Sequence, residues 1–170
     1  SHVPADANPG ALYIGDVGWG LREELNICKG PGQNFGWPTF EGVGTEPQYS
    51  TYPVAVVANQ DAPNPLFPGA GCSQYLGFNN LLKQNTSVLA NKPPFNNPCA
   101  PAQKIPASIP QFLHSPPVLD WAHLTTQART WKFDGAGAAV PINIDAPGAP
   151  FAAATFGGNC SIAGVWYTGT

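Results

Sequence analysis

The fold of this chain is decided by residues 12–42, LYIGDVGWGLREELNICKGPGQNFGWPTFEG. The first part of this stretch combines aromatic and β-branched residues, which favour pleated strands, with glycines, which interrupt them. It predicts a strand over residues 11–17, a glycine-rich crossing loop, a strand over residues 22–28 and a tight Gly-Trp-Pro turn at residues 36–38. The decisive segment is therefore β structure, with glycines at the crossing between its two strands.

Strand signals return in the C-terminal part of the chain. The segments are short and are separated by clusters of glycine, proline and asparagine, a pattern typical of a β-sandwich or a β-propeller. No helical crossover lies between them, which excludes a parallel α/β sheet. The predicted strands cover residues 117–122, 129–133, 139–144 and 162–168. The sequence thus predicts an all-β fold.

Between the two groups of strands, residues 43–115 are predicted to be a long irregular insertion within a single domain of residues 1–170. Proline recurs throughout this segment and prevents any long helix. One short helix is predicted at about residues 77–83, GFNNLLK. Irregular segments of this length are usually functional loops or insertions.

The composition excludes two classes of partner. Charged residues make up 10% of the 170 residues and the net charge is −3, so the chain has no basic surface that would bind a nucleic acid. No apolar run approaches the ~20 residues of a membrane-spanning helix. We therefore expect neither a nucleic-acid partner nor a membrane span.

Four cysteines lie far apart and form no C-x-x-C motif, which argues against a zinc site. Their even number favours disulfides, and hence a secreted or periplasmic protein. We expect Cys72 to pair with Cys99, because both lie in the same insertion. That pairing would leave Cys28 with Cys160. The alternative is that the cysteines are buried free thiols.

Four short motifs in the first part of the chain resemble one family. They are GDVG at residues 15–18, EELN at 23–26, NFGWP at 34–38 and EG at 41–42. In this order they resemble the glucose/sorbosone dehydrogenase family, the soluble aldose sugar dehydrogenases that depend on pyrroloquinoline quinone (PQQ). A weaker resemblance covers PVLDWAH at residues 117–123, followed by a glycine-rich stretch that begins at Gly157.

The resemblance implies a fold of roughly two blades of a six-bladed β-propeller, with long proline- and glycine-rich insertions. A propeller blade takes about 40–50 residues, so this chain is too short to close the ring. We therefore expect it to be part of a longer propeller, or to be completed by a partner chain.

The resemblance also implies a function, the oxidation of aldose sugars by hydride transfer to PQQ, assisted by calcium. In the family, the histidine base and the basic cofactor contacts lie outside the matched segments. The resemblance therefore predicts no catalytic residue in this chain, and the chain alone is not expected to catalyse the reaction.

One part of the family's site falls on this chain. By resemblance, the backbone carbonyls of Gly18 and Trp19 bind the calcium ion associated with the cofactor, and Glu24 lies near a metal ion. Backbone carbonyls and carboxylates are the oxygen ligands that calcium prefers. The alternative is that Gly18 only permits a tight crossing turn and that Glu24 is a solvated charge on a strand.

The sequence suggests structural rather than catalytic roles for Trp37, Pro38 and His123. We expect Trp37 and Pro38 to form a turn in which the large aromatic ring packs between neighbouring blades. His123 follows Asp120 by three residues, but residues three apart on a strand point to opposite faces. We therefore do not expect these two side chains to act together.

Two further functions remain open. One is a non-enzymatic secreted propeller segment that binds proteins or glycans: by resemblance, secreted relatives of the family bind proteins, and a propeller fold by itself does not decide the function. The third alternative is a structural or assembly piece, in which residues 43–115 pack against a partner chain.

Overall fold

A computed structural model describes residues 10–47, 62–87, 92–161 and, for the backbone, 166–167. In these ranges the chain forms twelve strands and a single-turn helix. In chain order they are β1 (Ala11–Asp16), β2 (Arg22–Cys28), β3 (Phe40–Glu41), β4 (Gly44–Thr45), α1 (Phe78–Leu81), β5 (Leu82–Lys83), β6 (Asn96–Asn97), β7 (Ala100–Lys104), β8 (Phe112–Leu113), β9 (Leu119–Ala122), β10 (Ala128–Phe133), β11 (Ala139–Asn143) and β12 (Trp166–Tyr167). The predicted all-β fold is confirmed.

Six strands form one antiparallel sheet with the order β11-β10-β9-β2-β1-β12. From β1 through β2, β9 and β10 to β11, neighbouring strands in the sheet are also consecutive strands of the chain, apart from the insertion between β2 and β9. The last strand, β12, pairs on the outer side of β1. The sheet is single and open in the described ranges, so the division into two propeller blades is not visible there.

The predicted strand positions agree closely with the structure. The predicted strand at residues 22–28 is β2, and the strand predicted at 11–17 ends one residue earlier, at Asp16. The first three of the four predicted C-terminal strands also form, as β9, β10 and β11. Of the strand predicted at 162–168, only residues 166–167 are described, and they pair with β1.

The described parts of the 43–115 segment contain only short elements. The predicted helix is reduced to one turn, α1, because Leu82 turns into an extended conformation and pairs with Phe112 of β8. The segment has its own small apolar core, against which Phe95 and Ile109 pack. The core residues are Ala62, Leu76, Leu81 and Ile105. No helix in the described ranges is long and apolar enough to cross a membrane.

The cysteine prediction is half right. Cys72 and Cys99 form a disulfide, as predicted. Cys28 and Cys160 are free thiols, so their predicted pairing is wrong. Ser161, next to Cys160, is bound to Glu23, which lies five residues along β2 from Cys28. That distance is about 16 Å in a strand, whereas the Cα atoms of a disulfide lie within about 7 Å.

The central strand β2 buries charge where a sheet normally buries apolar side chains. Arg22, Glu23 and Glu24 are 8%, 0% and 5% exposed. Because side chains alternate along a strand, Arg22 and Glu24 share one face and Glu23 lies on the other. Each buried charge therefore needs partners on its own side of the sheet, and these partners organise the site described next.

Candidate functional site

A cavity of about 400 Å³ lies beside the loop that joins β1 to β2. Its walls are the end of β1, the joining loop, β2, the turn that precedes β3, and β3 itself. The lining residues are Asp16, Val17, Gly18, Trp19, Glu24, Phe35, Trp37, Phe40 and Glu41. They include four aromatic rings and three carboxylates, and none of them is basic. We call this site the aromatic–acidic cavity.

One carboxylate from β3 holds the joining loop. Glu41 Oε1 accepts hydrogen bonds from three successive backbone N–H groups, those of Leu21 and Arg22 at 2.7 Å and that of Gly20 at 3.3 Å. Successive N–H groups of this kind form a concave site for an anion. A Cβ atom at Gly18 would overlap the carbonyl oxygen of Arg22, so the loop requires glycine there. The loop path is thus fixed by Glu41 and Gly18.

Glu41 is itself paired with a second carboxyl group. Burial alone would raise the pKa of Glu41, but a hydrogen bond with the Glu46 carboxyl and the three N–H groups lower it below its ordinary value. Both residues are almost fully buried. The lowered pKa favours the negatively charged form of Glu41.

Three further carboxylates lie side by side across the main sheet. In the strand register, Asp16 of β1 is opposite Glu24 of β2, and Glu24 is opposite Asp120 of β9. Like charges at directly opposed positions destabilise a sheet. Asp120 is compensated by two arginines, Arg22 and Arg129. Asp16 and Glu24, the two of these three carboxylates that line the cavity, form no ion pair with another described residue.

Of the two carboxylates in this set that line the cavity, Glu24 is the buried one. Its Oε2 accepts a hydrogen bond of 2.9 Å from Asn26 Nδ2, and its Oε1 accepts one from the Gly42 N–H. Burial raises the pKa of Glu24 to about 7. The two hydrogen bonds lower this pKa, and the neighbouring charges of Asp16 and Asp120 raise it further. Glu24 therefore changes its charge near neutral pH, a property that is common at functional sites.

Asp16 stands at the exposed rim of the cavity. Partial burial raises its pKa, and the neighbouring charge of Glu23 raises it further. Its backbone carbonyl accepts a hydrogen bond of 2.6 Å from Ser161 Oγ. The end of β1 is thus fixed in place while the Asp16 side chain remains accessible.

The raised pKa of Glu24 predicts a specific loss of stability with pH. Between about pH 4.5 and about 7, the folded protein keeps a proton on Glu24 that the unfolded chain has released, so the free energy of unfolding falls as pH rises. A shift from 4.5 to about 7 corresponds to about 3 kcal/mol. We expect Glu24→Gln to remove this part of the slope, measured by urea unfolding at a series of pH values.

The matched control is Asp145→Asn, which removes a carboxylate from an exposed position outside the cavity. It should leave the pH slope unchanged. If Glu24→Gln unfolds with the same pH slope as the parent protein, Glu24 has an ordinary pKa and the prediction is wrong.

Two tryptophans form the accessible aromatic part of the cavity. Trp19 is 57% exposed and Trp37 is 49% exposed. Half of the surface of Trp37 is therefore in contact with solvent, and the expectation that its ring packs between neighbouring blades stays a prediction. The turn that presents it is fixed by a 2.9 Å hydrogen bond from the Gly36 N–H to Asn34 Oδ1, and the Trp37–Pro38 peptide is cis. Large rings held at this exposure by an ordered turn are available to a ligand.

The structure brings together the three residues predicted for the site, Gly18, Trp19 and Glu24. Glu24 is buried, which excludes the alternative of a solvated charge. The prediction missed Asp16 and Glu41. Asp16 lies inside the GDVG motif, and a hairpin register between the two predicted strands would have placed it opposite Glu24. No sequence signal connects Glu41 with the loop it holds.

A calcium ion takes about six to eight oxygen ligands, and the cavity supplies only part of such a set. Both oxygens of Glu24 already accept hydrogen bonds, and a pKa of about 7 leaves this carboxyl partly protonated at neutral pH. The described ranges contain no group of three or more His, Cys, Asp or Glu side chains arranged to hold a metal ion. The described residues by themselves do not fit calcium, and the assignment of Gly18, Trp19 and Glu24 as its ligands stays a prediction.

A second charged cluster lies on the same face of the sheet and has a structural role. Asp120 Oδ1 accepts hydrogen bonds from Arg22 Nε at 2.6 Å and from Arg129 Nε at 2.9 Å, while its Oδ2 accepts from Arg129 at 2.9 Å and from the Val43 N–H at 2.8 Å. The remaining nitrogens of Arg22 donate to Gln127. Asp120 thus ties β2, β9, β10 and the start of the insertion together.

His123 belongs to the opposite face. Its Nε2 lies 2.6 Å from Glu23 Oε1, and Glu23 Oε2 accepts hydrogen bonds from the N–H and Oγ of Ser161 at 2.6 and 2.9 Å. As expected, His123 and Asp120 do not act together. The hydroxyl of Ser161 is bound to a carboxylate rather than to the histidine, so this group is not arranged as a nucleophile and its base.

Comparisons of the chain with family models, with curated proteins and with solved structures give no match. Membership of the glucose/sorbosone dehydrogenase family therefore stays a prediction that rests on the four motifs of residues 15–42.

Proposed function

We propose that the chain is a carbohydrate-binding protein and that its binding site is the aromatic–acidic cavity. The observation that carries the proposal is the presence of two half-exposed tryptophans, Trp19 and Trp37, beside three carboxylates in one cavity of about 400 Å³. The aldose sugar implied by the sequence resemblance belongs to the same class of ligand.

A sugar ring has an apolar face of C–H groups and an edge of hydroxyl groups. The indole rings supply flat apolar surface at a low cost in side-chain entropy. The carboxylates of Asp16, Glu24 and Glu41 supply hydrogen-bond acceptors for hydroxyl donors. Small-molecule sites commonly combine apolar walls with a few placed polar groups in this way.

The cellular location and assembly are also proposals. The Cys72–Cys99 disulfide supports a secreted or periplasmic location, because disulfides persist in oxidising compartments. The described part of the main sheet ends in β11 on one side and β12 on the other. We propose that further strands, from the remainder of a propeller or from a partner chain, complete the structure beyond these edges.

Oxidation of the bound sugar with PQQ and calcium remains the enzymatic extension of this proposal. PQQ, when bound, accepts the hydride that the sugar loses. Its carboxylates require basic or metal partners, but the charged residues that line the cavity are all acidic. The described residues therefore do not fit PQQ alone, and we assign no reaction step to it. Non-enzymatic binding of the sugar needs neither group.

The test is a calorimetric titration with a panel of neutral oligosaccharides. We expect saturable binding by the parent protein and a loss of affinity of at least about tenfold in Trp37→Ala, because the ring loses its contact with the sugar face. Trp37→Phe should retain part of the affinity. The control is Phe151→Ala, which removes an exposed aromatic ring outside the cavity.

Absence of saturable binding to every member of the panel would refute the proposal. Equal affinities of Trp37→Ala and the parent protein would place the binding site elsewhere. A separate fluorescence titration with PQQ, with and without calcium, tests the enzymatic extension, because calcium-dependent quenching of tryptophan fluorescence requires that both groups bind.

A further inference from the structure

We infer that the aromatic–acidic cavity selects basic saccharides, those that carry a free amino group, over neutral and acidic ones. This inference rests on the proposed function and specifies its substrate class. The charged lining residues are Asp16, Glu24 and Glu41, and all three are acidic. A ligand with an ammonium group is attracted to such a site, and a uronic acid is repelled by it.

In the described part of the chain, the two arginines on this face of the sheet direct their hydrogen bonds away from the cavity. The closest arginine on the same strand face, Arg22, directs its Nε to Asp120 and its two terminal nitrogens to Gln127. Arg129 is also bound to Asp120. These guanidinium groups hydrogen-bond within the structural cluster, and the charge of Arg22 also acts on Glu41. Asp16 and Glu24 form no ion pair with another described residue, and theirs is the charge that a ligand meets.

Glu41 contributes a fixed charge at the back of the cavity. The residue is 3% exposed, and its Oε1 is held by three backbone N–H groups. No N–H group reaches its second buried oxygen, Oε2. The Glu41 carboxylate is also hydrogen-bonded to Glu46, so Glu41 contributes negative charge to the site rather than a free acceptor.

The aromatic walls act in the same direction. The face of an indole ring carries negative electrostatic potential and attracts a cation within about 6 Å. Trp19 and Trp37 therefore favour an amino group as well as the C–H face of the sugar ring. Asp16, exposed at the rim, is the carboxylate that such an amino group meets first.

The experiment compares three ligands of similar size by calorimetry at low ionic strength: a glucosamine oligomer, its N-acetylated form and a galacturonate oligomer. We expect the free amine to bind about fivefold more tightly than the acetylated form, and the uronate most weakly. The preference should shrink when salt is added, because exposed charges are screened.

Two variants with the same change in net charge separate selection by the cavity from attraction to the whole protein. Asp16→Asn should reduce the preference for the amine to about twofold or less, while its affinity for the acetylated oligomer stays unchanged. Asp145→Asn, outside the cavity, should keep the full preference.

The outcomes distinguish the two proposals. If no oligomer binds, the proposed function fails and this inference fails with it. If the acetylated or uronate oligomer binds as tightly as the free amine, only the inference is overturned. The inference is also overturned if Asp145→Asn reduces the preference as much as Asp16→Asn does.

Discussion

Asp120→Ala is expected to lower the free energy of unfolding by about 3–5 kcal/mol, the range found when one partner of a buried ion pair is removed. Asp120 is 0% exposed and accepts hydrogen bonds from Arg22, Arg129 and the Val43 N–H. Truncation leaves the guanidinium group of Arg22 buried without its counter-ion. It also removes the link between three strands and the start of the insertion.

Denaturant unfolding followed by tryptophan fluorescence measures this effect. Asp145→Ala is the matched control, because the same truncation at an exposed position should change stability by less than about 0.5 kcal/mol. If Asp120→Ala does not fold, Asp120→Asn, which keeps the shape and loses the charge, should be destabilised in the same direction. A loss below about 1 kcal/mol in both variants would show that the cluster is not a structural centre.

The second large effect is expected on removal of the Cys72–Cys99 disulfide. The two cysteines are 27 positions apart, and opening a loop of this size costs about 3–4 kcal/mol in the chain-entropy description. The loop contains Leu76 and Leu81 of the small apolar core. The double variant Cys72→Ser/Cys99→Ser should therefore release the insertion more than the main sheet.

The same unfolding measurement, with hydrogen exchange to locate the change, tests this prediction. Cys160→Ser is the control, because Cys160 is an exposed free thiol and its removal should leave stability unchanged. Equal stability of the double variant and the parent protein would contradict the prediction, as would a loss of exchange protection confined to β1 and β2.

The strands of the fold were accessible to sequence reasoning because their signals are local. Residues 22–28 lie between glycines that interrupt strands, Gly20 before them and Gly30 after them, and β2 has those bounds. The pairing of β2 with β9 is different. It joins segments that are almost a hundred residues apart, and nothing in either segment specifies the other. The sequence therefore predicted the elements better than their arrangement.

The site was predicted in part for the same reason. Gly18, Trp19 and Glu24 lie in one contiguous motif, and they do line one cavity. Glu41 acts on the loop through a contact that only the folded chain creates. The burial of individual side chains was also not predictable from the sequence. Glu24 could have been a solvated charge by sequence alone, whereas in the structure the charged residues of β2 are buried.

The adjacency of β2 and β9 has a consequence for the rate of folding. Arg22 and Asp120 meet although they are 98 positions apart, so pairing β2 with β9 requires the closure of a long loop. Proteins dominated by such non-local contacts fold slowly, in milliseconds to seconds. The hairpin of β10 and β11, which is joined by residues 134–138, closes within about ten microseconds. We therefore expect the β10–β11 hairpin to form long before β2 pairs with β9.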